Sequence, residues 1–157
     1  MFLVIRSTPS PGDLTPTEYR ALAEFRYQIR RFLRFSEEQA RSSGLEPRQH
    51  QLLLAIKGLP PDKKPTVSEI CSRLQLRHHS TVELVNRLVE RGVAVRKPSD
   101  RDRREVLVEL TPLGEDLLHR LSVLHWQELQ SSGPELARSL ADLLGTQPFI
   151  ETQARRA

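Results

Sequence analysis

A mainly α-helical chain carrying one small β-hairpin is the fold class this sequence predicts, on three observations. Apolar residues recur at helical spacing from Tyr19 to Leu144. One stretch only, Val93 to Leu110, switches to period two on both sides of a polar tip. Helix-start signals stand ahead of the periodic runs: Thr15-Pro16-Thr17-Glu18, Glu46-Pro47-Arg48-Gln49, Thr66-Val67-Ser68-Glu69, Ser80-Thr81-Val82-Glu83 and Thr111-Pro112. With 157 residues, 38% hydrophobic and 28% charged, the composition suits one globular domain with a real core and argues against disorder.

Taken in order, residues 1–14 read as a flexible arm, because Ser7 to Gly12 is rich in Pro, Gly and hydroxyl residues. The first helix fills most of 15–45. Thr15 caps it, Pro16 suits its first position, and Leu22, Phe25, Ile29 and Phe32 form one apolar stripe at spacings of 3, 4 and 3. A helix this long can pack on a second chain as well as on its own core. Residues 46–111 hold three shorter helices and the hairpin. Leu52, Leu53, Ala55 and Ile56 face the second helix inward, Ile70, Leu74 and Leu76 the third, and Val82, Val85, Leu88 and Val89 the fourth. The third and fourth helices are so close in sequence that they must cross steeply as a helix-turn-helix. Gly92 ends the fourth, and the hairpin follows. Over 112–145, Leu117 to Leu129 makes a fifth helix, Ser132-Gly133-Pro134 is expected to break it, and Leu136 to Leu144 makes a sixth. Residues 146–157 form a tail.

The charge is concentrated. From Arg77 to Arg104 there are eight basic residues and four acidic ones, a surplus of four that equals the net charge of the whole chain. A positive field confined to a helix and a hairpin is what binding to a polyanion needs. A lone cysteine, Cys71, excludes an internal disulfide and reads as a small buried side chain in a reducing compartment. No run approaches the ~20 apolar residues of a membrane span, and the short apolar start lacks a signal-peptide core. A cytoplasmic protein without membrane association is expected.

The stretch from Thr66 to Gly114 resembles the MarR family of bacterial transcriptional regulators. The resemblance rests on Thr66-Val67-Ser68-Glu69-Ile70, on Asn86-Arg87-Leu88-Val89-Glu90-Arg91-Gly92, and above all on Asp102-Arg103-Arg104 leading into Leu110-Thr111-Pro112-Leu113-Gly114. It extends more broadly over 15–144. It implies a winged helix-turn-helix flanked by N- and C-terminal dimerisation helices, with double-stranded DNA as partner, a homodimer on an inverted-repeat operator, and release by a small aromatic effector. Five positions depart from the family pattern. Gln75 replaces the usual glycine of the turn and is expected to adopt αL at some cost. Arg77 stands where a small hydroxyl residue is usual, His78-His79 replaces a Lys/Ser/Pro mixture, and Glu83 stands where a basic residue is frequent.

The start of the fourth helix belongs at base edges in the major groove. Arg77, His78, His79, Ser80, Thr81 and Arg87 are its candidate DNA contacts, Glu83 being either a cap turned from the phosphates or a reader of cytosine. In the wing, Arg101, Asp102, Arg103 and Arg104 are the candidates. By resemblance Asp102 orients a neighbouring arginine, with Arg103 the minor-groove probe and Arg104 its rival. Arg48 and Ser68 are candidate phosphate contacts. Tyr27, Arg30, Arg31, His50 and Trp126 could line an effector cleft, though for each of them packing or a dimer contact is the favoured reading. A metal- or thiol-responsive regulator is a weaker reading, because His119 and His125 are six apart and Cys71 has only His78 and His79 near it in sequence. A winged helix used as a protein-interaction module is the competing class. An enzyme is not expected: there is no phosphate loop, nucleophile elbow or paired-carboxylate site. No cofactor and no metal are expected.

Overall fold

The computed structural model describes residues 14–145 except Arg101 and Arg103. Its elements run α1 (Pro16–Ser42), α2 (Pro47–Lys57), α3 (Val67–Leu74), α4 (His78–Glu90), β1 (Ala94–Pro98), β2 (Val106–Leu110) and α5 (Pro112–Leu144). The arm expected before residue 14 and the tail from 146 lie outside the described residues.

The chain divides into two compact units, one containing residues 36–124 and the other the segments on either side. In the first, Ala40, Leu45, Leu52, Leu53, Ile70, Val85, Leu88, Val93, Val108 and Leu121 form one buried cluster. Its pieces are set locally. Thr66 caps α3 by accepting the Glu69 amide at 3.2 Å, while the Glu69 carboxylate turns to Arg73 and Lys63. Glu46 and Gln49 form a reciprocal capping box on α2. Gly92, at φ +68, takes the chain out of α4, and the Val93 amide returns to the Leu88 carbonyl at 2.9 Å. That left-handed turn seats Val93 in the core directly after the helix.

β1 and β2 pair antiparallel from Ala94↔Leu110 to Pro98↔Val106. A bridge, Thr66↔Leu107, adds the segment ahead of α3 to the outer edge of β2, and the Val108 amide reaches the Pro65 carbonyl at 2.8 Å. Thr111 then starts α5, its hydroxyl donating to the Gly92 carbonyl at 2.6 Å and accepting from the Gly114 amide at 3.2 Å.

In the other unit, Thr15 and Glu18 cap α1 reciprocally. Gln28, Ser139 and Ala141 are buried, Arg31 pairs with Glu135 at 2.9 Å, and His125 meets Phe32 and Phe35 edge-on. The break expected at Ser132-Gly133-Pro134 is corrected: α5 runs through it as one 33-residue helix. Pro134 removes one amide, but the residue ahead of it is Gly133, which has no Cβ to meet the proline ring. The Ser132 hydroxyl donates to the Glu128 carbonyl, and Glu135 ties the far side to Arg31. Leu22, Leu33, Trp126, Leu129, Leu140 and Leu144 nonetheless remain exposed in this unit. Among the described residues no helix is long and apolar enough to cross a membrane.

Candidate nucleic-acid interface

The turn between α3 and α4 is built on Gln75, whose φ of 52° and ψ of 40° are left-handed, as expected of a residue in the glycine position. Its amide reaches the Cys71 and Ser72 carbonyls, and the Leu76 amide returns to Cys71 at 3.1 Å. The Cys71 thiol, half-buried rather than fully so, donates to the Leu76 carbonyl at 2.7 Å. Cys71 therefore fastens the turn it precedes.

Arg77, in extended conformation, is the residue from which α4 springs, and no side chain caps this end. The capping box expected at Ser80 is displaced, because the N-cap is Arg77 and the helix begins at His78, three residues earlier than that box would place it. This rotates the face presented. Arg77, His78, His79 and Arg87 are exposed and Ser80 is half-buried. Thr81 is fully buried, its hydroxyl donating to the Arg77 carbonyl at 3.2 Å. Thr81 thus leaves the set of candidate base readers: its methyl fills the core, and its hydroxyl is spent within the first turn.

Beside this face lies an open groove of about 640 Å³, bounded by the end of α1, the start of α2 and the flank of α4. It brings Arg48, Ser80 and Arg87 together, with Glu83 between them along the helix. Three of its other charges are engaged locally, since Arg41 pairs with Glu37 at 3.2 Å and Glu46 caps α2. Arg48 and Arg87 remain as exposed guanidinium groups with no ion pair among the described residues. Ser68, exposed in the first turn of α3, is not part of the groove.

The wing is fixed at three points that the sequence pattern did not reveal. Arg96 on β1 donates to Asn86 on α4 at 2.7 Å, tying the hairpin to that helix. Lys97 and Glu109 pair across the strands at 2.6 Å. At the root, Lys64 bonds the Glu105 carboxylate and reaches buried Ser99 at 3.5 Å. The hydrogen bond from Lys64, then that from Ser99, holds the Glu105 carboxyl below its ordinary value. Lys64 and Glu105 are 41 residues apart, so no local signal could have paired them.

At the tip, Asp102 accepts the Arg104 amide at 2.9 Å, and the Glu105 amide reaches the Asp102 carbonyl at the same distance. In this structure Asp102 orders the wing through the backbone of Arg104. Asp102 and Arg104 are both exposed; Arg101 and Arg103 lie outside the described residues.

Of the effector-cleft candidates, Tyr27 and Arg31 meet, the guanidinium 5.9 Å from the ring centroid. Arg30 is exposed, and Trp126 is 69% exposed. His50 belongs to the other unit, where it is buried in α2. Among the described residues no group of three or more His, Cys, Asp or Glu side chains could hold a metal ion.

The arrangement is similar to known proteins. The model of the MarR family matches residues 43–105. A Thauera aromatica protein proposed as the transcriptional regulatory protein for the hcr operon is 28% identical over 122 residues, covering 74% of this chain and 72% of that protein. Among solved structures, the MarR family transcriptional regulator AbsC of Streptomyces coelicolor superposes with a TM-score of 0.67 at 18% identity, over 83% of this chain and 89% of its own. A mutant of S. aureus MepR bound to an oligodeoxyribonucleotide superposes with a TM-score of 0.60 at 17% identity, over 85% and 98%.

Proposed function

We propose that the chain is a winged-helix transcriptional regulator of the MarR type, which its likeness to that family supports, and that it acts as a homodimeric, sequence-specific repressor on an inverted-repeat DNA site. The observation that carries this reading is the cationic face of α4: Arg77, His78, His79 and Arg87 exposed, Arg48 beside them, and the wing tied to the same helix by Arg96 and Asn86. In that role the first turn of α4 meets base edges in the major groove, while Arg48 and Arg87 meet phosphates. The wing enters the minor groove through Arg103 or Arg104. The DNA-bound MepR mutant supports the docking mode by likeness of fold.

Dimerisation is supported by the apolar residues α1 and α5 leave in water, Leu22, Trp126, Leu140 and Leu144 among them. A twofold dimer presents two recognition helices about 34 Å apart, which demands a near-palindromic site. Release by a small aromatic effector completes the proposal, with Tyr27, Arg30, Arg31 and Trp126 as contacts from the α1–α5 unit.

Footprinting on DNA upstream of the protein's own transcription unit, alongside sedimentation at micromolar concentration, tests this. A symmetric footprint and a dimer are expected. A monomer would remove the inverted-repeat geometry, and no footprint with a protein partner captured instead would turn the winged helix into an interaction module.

A further inference from the structure

We propose that Glu83 reads the amino group of a cytosine in each half of the operator, an inference that rests on the regulator reading above. Glu83 stands in the second turn of α4, since the helix begins at His78. It is past the first turn, where a carboxylate would cap free amides or gain most from the helix dipole. It is exposed, and no hydrogen bond or ion pair among the described residues holds its carboxylate. Arg87 lies four residues on, in the favourable order for a pair, yet makes none with it. The groove's other carboxylates are engaged, Glu37 with Arg41 and Glu46 at the start of α2.

A free carboxylate is an odd group to carry on a surface built for a polyanion. Toward phosphate it only repels. In the major groove it can be satisfied by an amino donor, and only cytosine and adenine offer one. Adenine sets the N7 acceptor beside its amino group, which a carboxylate meets unfavourably. Cytosine sets no acceptor beside its own. Guanine and thymine present acceptors at the same place. Glu83 shares its stripe of α4 with His79, one turn before, and Arg87, one turn after, so the face offers a single acceptor flanked by groups able to donate. That pattern admits cytosine at one base pair and penalises the alternatives.

The test is selection of sites from randomised duplex DNA by the full-length wild-type, E83Q and E83A proteins. The wild type should enrich cytosine at one symmetric position, with binding about 10- to 100-fold weaker when that pair is changed. E83Q should move the preference toward adenine, which an amide can meet with both of its groups. E83A should leave that position degenerate, keep the others, and raise non-specific affinity because a negative charge is gone. Selection of the same cytosine by E83A as strongly as by the wild type would overturn the assignment and leave the regulator reading standing. Failure of the wild type to select any sequence would overturn both.

Discussion

Gly114 is the position where helix propensity and packing make opposite forecasts. By propensity alone, G114A in the first turn of α5 should stabilise the protein by about 1 kcal/mol. In the structure, a Cβ at Gly114 would stand 2.1 Å from the Val93 carbonyl oxygen and 3.3 Å from a Val93 methyl. An ordinary carbon–oxygen contact is longer by roughly 1 Å, and the obstacle is backbone, which cannot rotate aside. The helix start must lift. Its bonds to the preceding turn are the Thr111 amide to the Val93 carbonyl at 3.1 Å and the Thr111 hydroxyl to the Gly92 carbonyl at 2.6 Å. Overpacking of this kind costs about 1–3 kcal/mol, and each strained or lost hydrogen bond about 1 kcal/mol more. Set against the propensity gain, G114A should destabilise by roughly 2–3 kcal/mol, a fall in melting temperature of roughly 5–10 °C for a chain of this size. G92A is the comparison. Its Cβ would meet nothing within 4 Å, but φ of +68° remains, so it should cost only about 1 kcal/mol. Thermal melts followed by circular dichroism, with urea titrations, measure both. A G114A protein as stable as the wild type, or more stable than G92A, would refute the packing argument.

Other expectations are as direct. T81A should lower stability by about 1–2 kcal/mol through loss of a buried methyl and hydrogen bond while leaving the order of preferred DNA sites unchanged, whereas S80A should weaken specific binding more than non-specific; competition titrations on a fixed panel of duplexes separate the two. Q75G should relieve a left-handed residue and raise stability by about 1 kcal/mol, read as a higher urea midpoint. R87A should weaken binding to all sequences and reduce the slope of log affinity against log salt by about one unit, seen in fluorescence anisotropy across a salt series. Glu105 is held below its ordinary value in the folded state, so its contribution is present above the unfolded carboxylate value of about 4.3 and is lost as pH falls through the lowered one. K64M should therefore make stability less sensitive to acid than in the wild type, and equal losses for the two proteins between pH 6 and 3.5 would count against the pin.

What was legible in the sequence was whatever a few neighbouring residues decide. Thr15 with Glu18, Thr66 with Glu69, and Thr111 with Pro112 fix helix starts because their bonds span three residues; Gly92 fixes a stop because its own φ does. Alternation alone located the hairpin, and the excess of arginine pointed to the face of α4. The turn residue Gln75 was expected in αL and is found there. The start of α4 differs from the local pattern: Ser80 to Glu83 has the sequence of a cap, but Arg77 holds the N-cap place without a side-chain cap and the Thr81 hydroxyl bonds its carbonyl. That difference turns Thr81 inward, and it is decided by the steep packing of α4 on α3 rather than by either residue. Past Pro134, α5 also carries Glu135, which bonds Arg31, 104 residues away in sequence, a contact no local pattern announces.

The sequence by itself determined the number and kind of most elements, the placement of the charge and the likeness to winged-helix regulators, because periodicity, caps and composition are local properties of the chain. Only the tertiary structure decided which residues of α4 face outward, that Arg48 shares a groove with Ser80 and Arg87, and that Lys64 and Asn86 fix the wing. It also turned Gly114 from a motif letter into a contact with the Val93 carbonyl. Those facts depend on atoms tens of residues apart meeting at a few ångströms, and such meetings are settled by the packing of the whole core.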